Sequence, residues 1–161
     1  MASKANKTGR NDHGEHFTKI FRHVVRSPAW AALSTIAQAI YPFIKLEWHG
    51  PQANNNGKIQ FSYRQAAKSV GVTLNTAMRG FHDLQAKGFI VVTELGALGV
   101  EGMARSPTYE ITEIQMPNSA QYSGRYLYRD WKKGSDFEVA HHVKNNPNGI
   151  NGCRSPSSNF R

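Results

Sequence analysis

Cysteine is almost absent from these 161 residues: Cys153 is the only one. An internal disulfide framework is therefore excluded, and the lone thiol reads as inert in a reducing compartment. No Cys/His set has the spacing of a structural zinc site; His13 and His16 lie in a polar arm, and His141-His142 are adjacent. Acids are scarce too, eleven against twenty Lys and Arg, for a formal net charge of +9. None of the eleven forms an obvious pair with a base and a nucleophile, and neither a G-x-S-x-G elbow nor a P-loop occurs. Gly96, Gly99 and Gly102 are not a dinucleotide fingerprint, because no helix follows them. No apolar run nears the roughly 20 residues that span a bilayer, and Met1 to His16 has no apolar signal core. The expectation is a cytoplasmic, nucleoid-associated protein that is not an enzyme and uses no metal, cofactor, membrane or small-molecule ligand.

What is present in excess is positive charge, and it is unevenly spread. Residues 1–26 carry six Lys/Arg against two acids, residues 27–114 seven against six, and residues 115–161 seven against three. A nearly neutral centre with basic flanks favours a polyanion through counterion release. Three segments follow from this and from composition. Residues 1–16 read as a disordered basic arm, 17–114 as the folded domain, and 115–161 as a basic–aromatic tail, largely disordered after about 140.

Within the domain, Phe17, Ile20, Phe21, Val24 and Val25 suit either a helix or an extended segment and are expected to be buried. Ser27-Pro28 starts a helix, with a capping hydroxyl followed by a residue that has no N–H to leave unpaired. Trp30, Leu33, Ile36, Ala37 and Ile40 recur on one helical face, and Pro42 is expected to kink or end that helix. Gly50 to Gly57 is a loop by composition, and Lys58 to Phe61 alternates like a short strand. The stretch from Ser62 to Ile90 then reads as two helices joined at Gly71-Val72, capped by Ser62 and Thr73. Gly88 falls at the left-handed stop and a strand comes straight after it. At about 100° per residue, Leu74, Ala77, Phe81 and Leu84 share one side of the second helix, with Asn75, Arg79 and His82 opposite and Thr76 on the flank. Phe89 to Thr93 and Thr108 to Thr112 read as an antiparallel pair around a Gly-rich loop. The fold class is α+β, mainly α: a winged helix-turn-helix, with a three-helix core, a small antiparallel sheet and flexible basic termini.

Ser27 to Ser34, Asn55 to Ile59, the helix-turn-helix and Gly88-Phe89-Ile90, taken in order, resemble a family of bacterial winged-helix proteins. Its members occur in proteobacteria, often in phage, plasmid or other mobile-element settings, with kinship to winged-helix replication initiators and transcriptional regulators. The resemblance covers about residues 17–114 and implies double-stranded DNA binding. Pro42 departs from the family's unbroken first helix, and the wing carries a single cation, Arg105.

The DNA-binding candidates follow from chemistry at each position. Arg79 can meet guanine O6 and N7 with both guanidinium nitrogens, while Asn75, Thr76 and His82 share or flank its face. Ser62 and Arg64 open the first of the two helices, where amides and dipole favour a phosphate; Lys68 adds a cation and Thr73 opens the second helix. Arg105 suits an adjacent minor groove. The expected role is transcriptional regulation through helix 73–87 in the major groove, as a homodimer because one short helix reads few base pairs. Replication initiation or control of a plasmid, phage or integrative element is the alternative. Two others differ in class: a winged-helix protein-interaction module, which an outward Asp83 would suit, and RNA binding through Tyr126, Tyr128 and Trp131 of the tail.

Overall fold

The computed structural model describes residues 17–98, 104–120 and 123–141. The expected basic arm 1–16, the loop centre 99–103 with Gly99 and Gly102, and the tail beyond 141 lie outside the described residues. The described part is a small mixed α+β domain. It contains the helices α1 (Arg22–Val25), α2 (Pro28–Ala31), α3 (Thr35–Leu46), α4 (Tyr63–Val70) and α5 (Leu74–Ala86). Its strands are β1 (Ile59–Gln60), β2 (Ile90–Glu94), β3 (Ala97–Leu98), β4 (Ala104–Arg105) and β5 (Thr108–Ile111), with a 3-10 turn at Leu127–Arg129.

Ser27 caps α2 through Oγ, which accepts from the Trp30 amide at 3.1 Å, with Pro28 at the first helical position. The single helix expected beyond this point is instead two. The chain leaves α2 at Ala32 and restarts at Ser34, whose Oγ accepts from the Ala37 amide at 3.3 Å. A distant partner reinforces the restart: Asp83 of α5 accepts from the Ser34 amide at 2.6 Å. Pro42 neither ends nor divides α3. Ile40, Tyr41, Ile44 and Lys45 are buried on both sides of it, so packing outweighs the one backbone bond that proline removes.

The expected burial of the first apolar cluster needs correcting. Only Val24 is buried; Ile20, Phe21 and Val25 are exposed, and Phe17 is 70% exposed. The reason is geometric, since α1 is a single turn and offers little of its surface to the core. The residues before it are held from below by Lys45, whose ammonium donates to the Lys19 carbonyl and lies 5.6 Å from the Phe21 ring centroid. Lys45 also pairs with buried Glu113.

A three-stranded antiparallel sheet has the order β1-β5-β2, with Ile59 opposite Tyr109 and Ile90 opposite Ile111. Central β5 is buried along its whole length. Asn56 locks the preceding loop onto it: its side-chain amide donates to the Ile111 and Ile114 carbonyls, and its oxygen accepts from the Ile111 amide at 2.8 Å. A second hairpin, β3-β4, pairs Ala97 with Arg105 and extends strand structure into the region read as a glycine-rich loop.

Helix α5 packs most extensively on α3 and then on α4. Gly80 permits the close crossing with α3, because a Cβ there would meet Ile40 Cδ1 at 2.8 Å and Ile36 Cγ2 at 3.1 Å. Gly88 adopts the expected left-handed conformation, φ 75°.

Two aromatic residues of the tail, Tyr128 and Trp131, belong to the core, while Tyr122 lies outside the described residues. Tyr128 is buried and stacks on Phe89 with ring centroids 5.0 Å apart, and Trp131 is buried nearby. Tyr126 is half-buried, and its amide donates to the Thr112 carbonyl at 2.8 Å. Among the described residues, no helix is long and apolar enough to cross a membrane.

Candidate nucleic-acid interface

The sequence of α4 and α5 fixes their ends locally. Ser62 and Gln65 form a reciprocal capping box: Ser62 Oγ accepts from the Gln65 amide at 3.2 Å, and Gln65 Oε1 accepts from the Ser62 amide at 2.8 Å. Gly71, in the left-handed region, stops α4. Two residues later Thr73 opens α5, its hydroxyl accepting from the Thr76 amide at 3.2 Å and lying 2.8 Å from the Thr76 hydroxyl. The turn between the helices is therefore short and pinned at both sides.

Three of the candidate residues meet on one stripe of α5. Asn75 and Arg79 are exposed there, and His82 continues the line one turn later, half-buried. The opposite side of the helix behaves as its pattern requires, with Ala77, Phe81 and Leu84 buried. Leu74 does not: it is 50% exposed beside Asn75. It occupies the first turn, off the centre of the buried stripe, where the packing partners of α5 run out.

Arg64 and Lys68 are exposed on the first and last turns of α4. Arg105 is exposed on β4, away from the helix pair in the chain. Ion pairs among the described residues engage Lys45, Lys87 and Arg125, and none of them involves Arg64, Lys68, Arg79 or Arg105. The charge on these four side chains is thus turned to solvent rather than spent internally. Ser62, Thr73 and Thr76 differ, because their hydroxyls already serve the caps.

Asp83 had the look of an acid placed on the same surface. Its carboxylate instead faces α3, where it accepts from Ser34 at 2.6 Å and lies 3.9 Å from Lys87 Nζ. An anion at the start of a helix is stabilised by the unpaired amides and the dipole there. Its negative charge is directed into the fold.

A feature with no signal in the sequence is the segment that covers the end of α5. Asp136 accepts from Lys87 Nζ at 2.8 Å and from Trp131 Nε1 at 2.7 Å. These hydrogen bonds, that from Lys87 foremost, hold its carboxyl below the ordinary value of 3.8. The Phe137 amide donates to the Ala86 carbonyl at 2.9 Å, and the Ala140 amide to Gln85 Oε1 at 3.0 Å. His141 then meets His82 edge-to-face, ring centroids 4.9 Å apart. Of the named candidates, His82 alone is seen beneath a neighbouring ring. Pairings of this kind between residues some fifty positions apart are not periodic, and a single sequence carries no trace of them.

No group of three His, Cys, Asp or Glu among the described residues is arranged to hold a metal ion. Comparison with known proteins returns no matching family, no matching curated protein and no matching solved structure.

Proposed function

We propose that this protein is a winged helix-turn-helix that binds double-stranded DNA, with α5 entering the major groove. The observation that carries the reading is the stripe of α5: Asn75 and Arg79 are exposed and outside any ion pair seen, while the neighbouring acid Asp83 is turned into the cap of α3. A short pinned turn before α5, and strands β2 and β5 joined through the β3-β4 hairpin after it, match the helix-turn-helix and wing arrangement.

In this reading Arg79 recognises a guanine edge and Asn75 an adenine or a phosphate. Exposed Leu74 supplies an apolar contact for a thymine methyl. The start of α4, through its dipole and with Arg64 and Lys68, meets the backbone, and Arg105 reaches it from the hairpin. The output fits transcriptional regulation. The burial of Tyr128 and Trp131 makes the alternative of RNA bases stacking on these rings less favourable, since neither face is open to a ligand.

The test is fluorescence anisotropy of the protein against pooled random duplex DNA at two salt concentrations, with Arg79→Ala beside it. Binding that survives moderate salt and weakens about 5- to 150-fold with Arg79→Ala, equivalent to roughly 1–3 kcal/mol, is expected. Binding that vanishes with salt and ignores the substitution would sink the proposal.

A further inference from the structure

Large apolar side chains left in water are concentrated in one short stretch. Phe17, Ile20, Phe21 and Val25 are between 39% and 70% exposed. The backbone that carries them is nevertheless fixed. The Lys45 ammonium donates to the Lys19 carbonyl, Val24 is buried, and Ser27 Oγ donates to the Val24 carbonyl at 2.7 Å. Phe21 stacks on His23 with ring centroids 5.4 Å apart, and His23 meets Tyr126 edge-to-face at 6.3 Å. The fold holds this stretch from within and presents its apolar groups outward.

Cations are interleaved with them. Lys19, Arg22 and Arg26 are exposed, and residues 17–26 hold no acid. None of the three enters an ion pair among the described residues. That mixture decides between occupants. A second copy would set like charges against each other. Duplex phosphates would use the cations and leave the apolar groups in water. A protein interface gathers apolar groups in a core depleted of charge, with the charges at its rim. An anionic bilayer surface takes both kinds at once: apolar side chains enter the acyl boundary, while Lys and Arg reach the headgroups along their own stems. Residues 2–16 contain no Val, Ile, Leu, Met, Phe, Tyr or Trp to lay over the patch.

We infer that residues 17–26 form a peripheral membrane contact selective for anionic lipid. This surface is independent of the reading of α5. A peripheral contact needs no spanning helix, so the expectation of no membrane partner, drawn from short apolar runs, does not bear on it.

The experiment is sedimentation of the intact chain with vesicles of phosphatidylglycerol and phosphatidylcholine in equal parts, and with phosphatidylcholine alone. Binding to the anionic vesicles is expected. The Phe17→Ala/Ile20→Ala/Val25→Ala variant keeps Phe21 for its contact with Lys45. Its urea midpoint should stay close to the parent's, while its partitioning onto anionic vesicles should fall about 10- to 100-fold. Lys19→Gln/Arg22→Gln/Arg26→Gln should weaken that partitioning about 100-fold. As a direct readout of insertion, Phe17→Trp should show more quenching by brominated acyl chains than the parent tryptophans do. Anionic binding that ignores the alanine variant would assign it to net charge and overturn the inference, as would no binding to anionic vesicles. If vesicles are ignored and a capped amphipathic Leu/Glu peptide binds the parent but not the alanine variant, the patch is a protein-docking surface and the membrane contact is overturned.

Discussion

The two flanks of this domain are alike in composition and opposite in fate. Residues 17–26 and 123–137 both mix large apolar side chains with Lys and Arg. In the first, Phe17, Ile20, Phe21 and Val25 are exposed; in the second, Tyr128 and Trp131 belong to the core. The difference lies in anchorage. The second flank hydrogen-bonds to Thr112 and Ala86 through its backbone, pairs Arg125 with buried Glu110, and bridges Asp136 to Lys87 and Trp131. The stretch preceding α1 is held by the contact of Lys45 with the Lys19 carbonyl. Apolar character favours burial wherever a surface is offered, but ordering a chain costs about 1–2 kcal/mol per residue in backbone entropy, which the Lys45 contacts with the Lys19 carbonyl and the Phe21 ring do not offset.

The largest test of this comparison is a matched pair of truncations. Tyr128→Ala removes a buried ring stacked on Phe89 and should destabilise by roughly 3–5 kcal/mol in urea titrations. Phe17→Ala should fall within about 0.5 kcal/mol of the parent. Equal losses for the two would mean that both flanks are anchored alike.

Lys45 sharpens the comparison, because the same ammonium serves both the first flank and the core. Lys45→Met leaves the carboxylate of Glu113 buried without its partner, which should destabilise by about 3 kcal/mol. Adding Glu113→Leu should recover most of the loss, since two apolar groups leave no uncompensated charge. A double variant as unstable as the single one would show that the pair does more than balance charge.

The smallest effect concerns acid. Asp136 is held below its ordinary value by the Lys87 and Trp131 hydrogen bonds, so its folded-state value lies beneath the unfolded one. The contribution it makes is fully present above about pH 4 and is lost as pH falls through the depressed value. Its carboxylate is half-exposed, so solvent screening keeps the contribution small. Trp131 fluorescence should stay constant from pH 7 to about 5 and change only below about 4. In Asp136→Asn that acid transition should be absent. A transition centred near neutral pH would assign the anchorage to other groups.

Much of the fold was legible because its signals are local. Ser27, Ser62 and Thr73 cap the helices they were expected to cap, and Gly88 stops α5 in the left-handed region. The paired strands after α5 follow from alternation and β-branched content. The candidate residues on α5 share a stripe because helical periodicity alone sets that relation. What misled was tertiary. Ser34 restarts a helix partly because Asp83 reaches it from α5, and Pro42 is tolerated because buried neighbours flank it. Leu74 repeats at core spacing yet lies where the packed surface ends.

From the sequence alone came the α4–α5 helix pair, the strand that follows it, the caps at Ser27, Ser62 and Thr73, and the face of α5 that carries Asn75 and Arg79. Each depends on interactions within a few residues, so the local chain determines them. Only the tertiary structure decided which flank is core, that Asp83 caps another helix, and that residues 136–141 lead back along α5. Those outcomes depend on partners far apart in the chain, and distance in sequence says nothing about which surface a residue will meet.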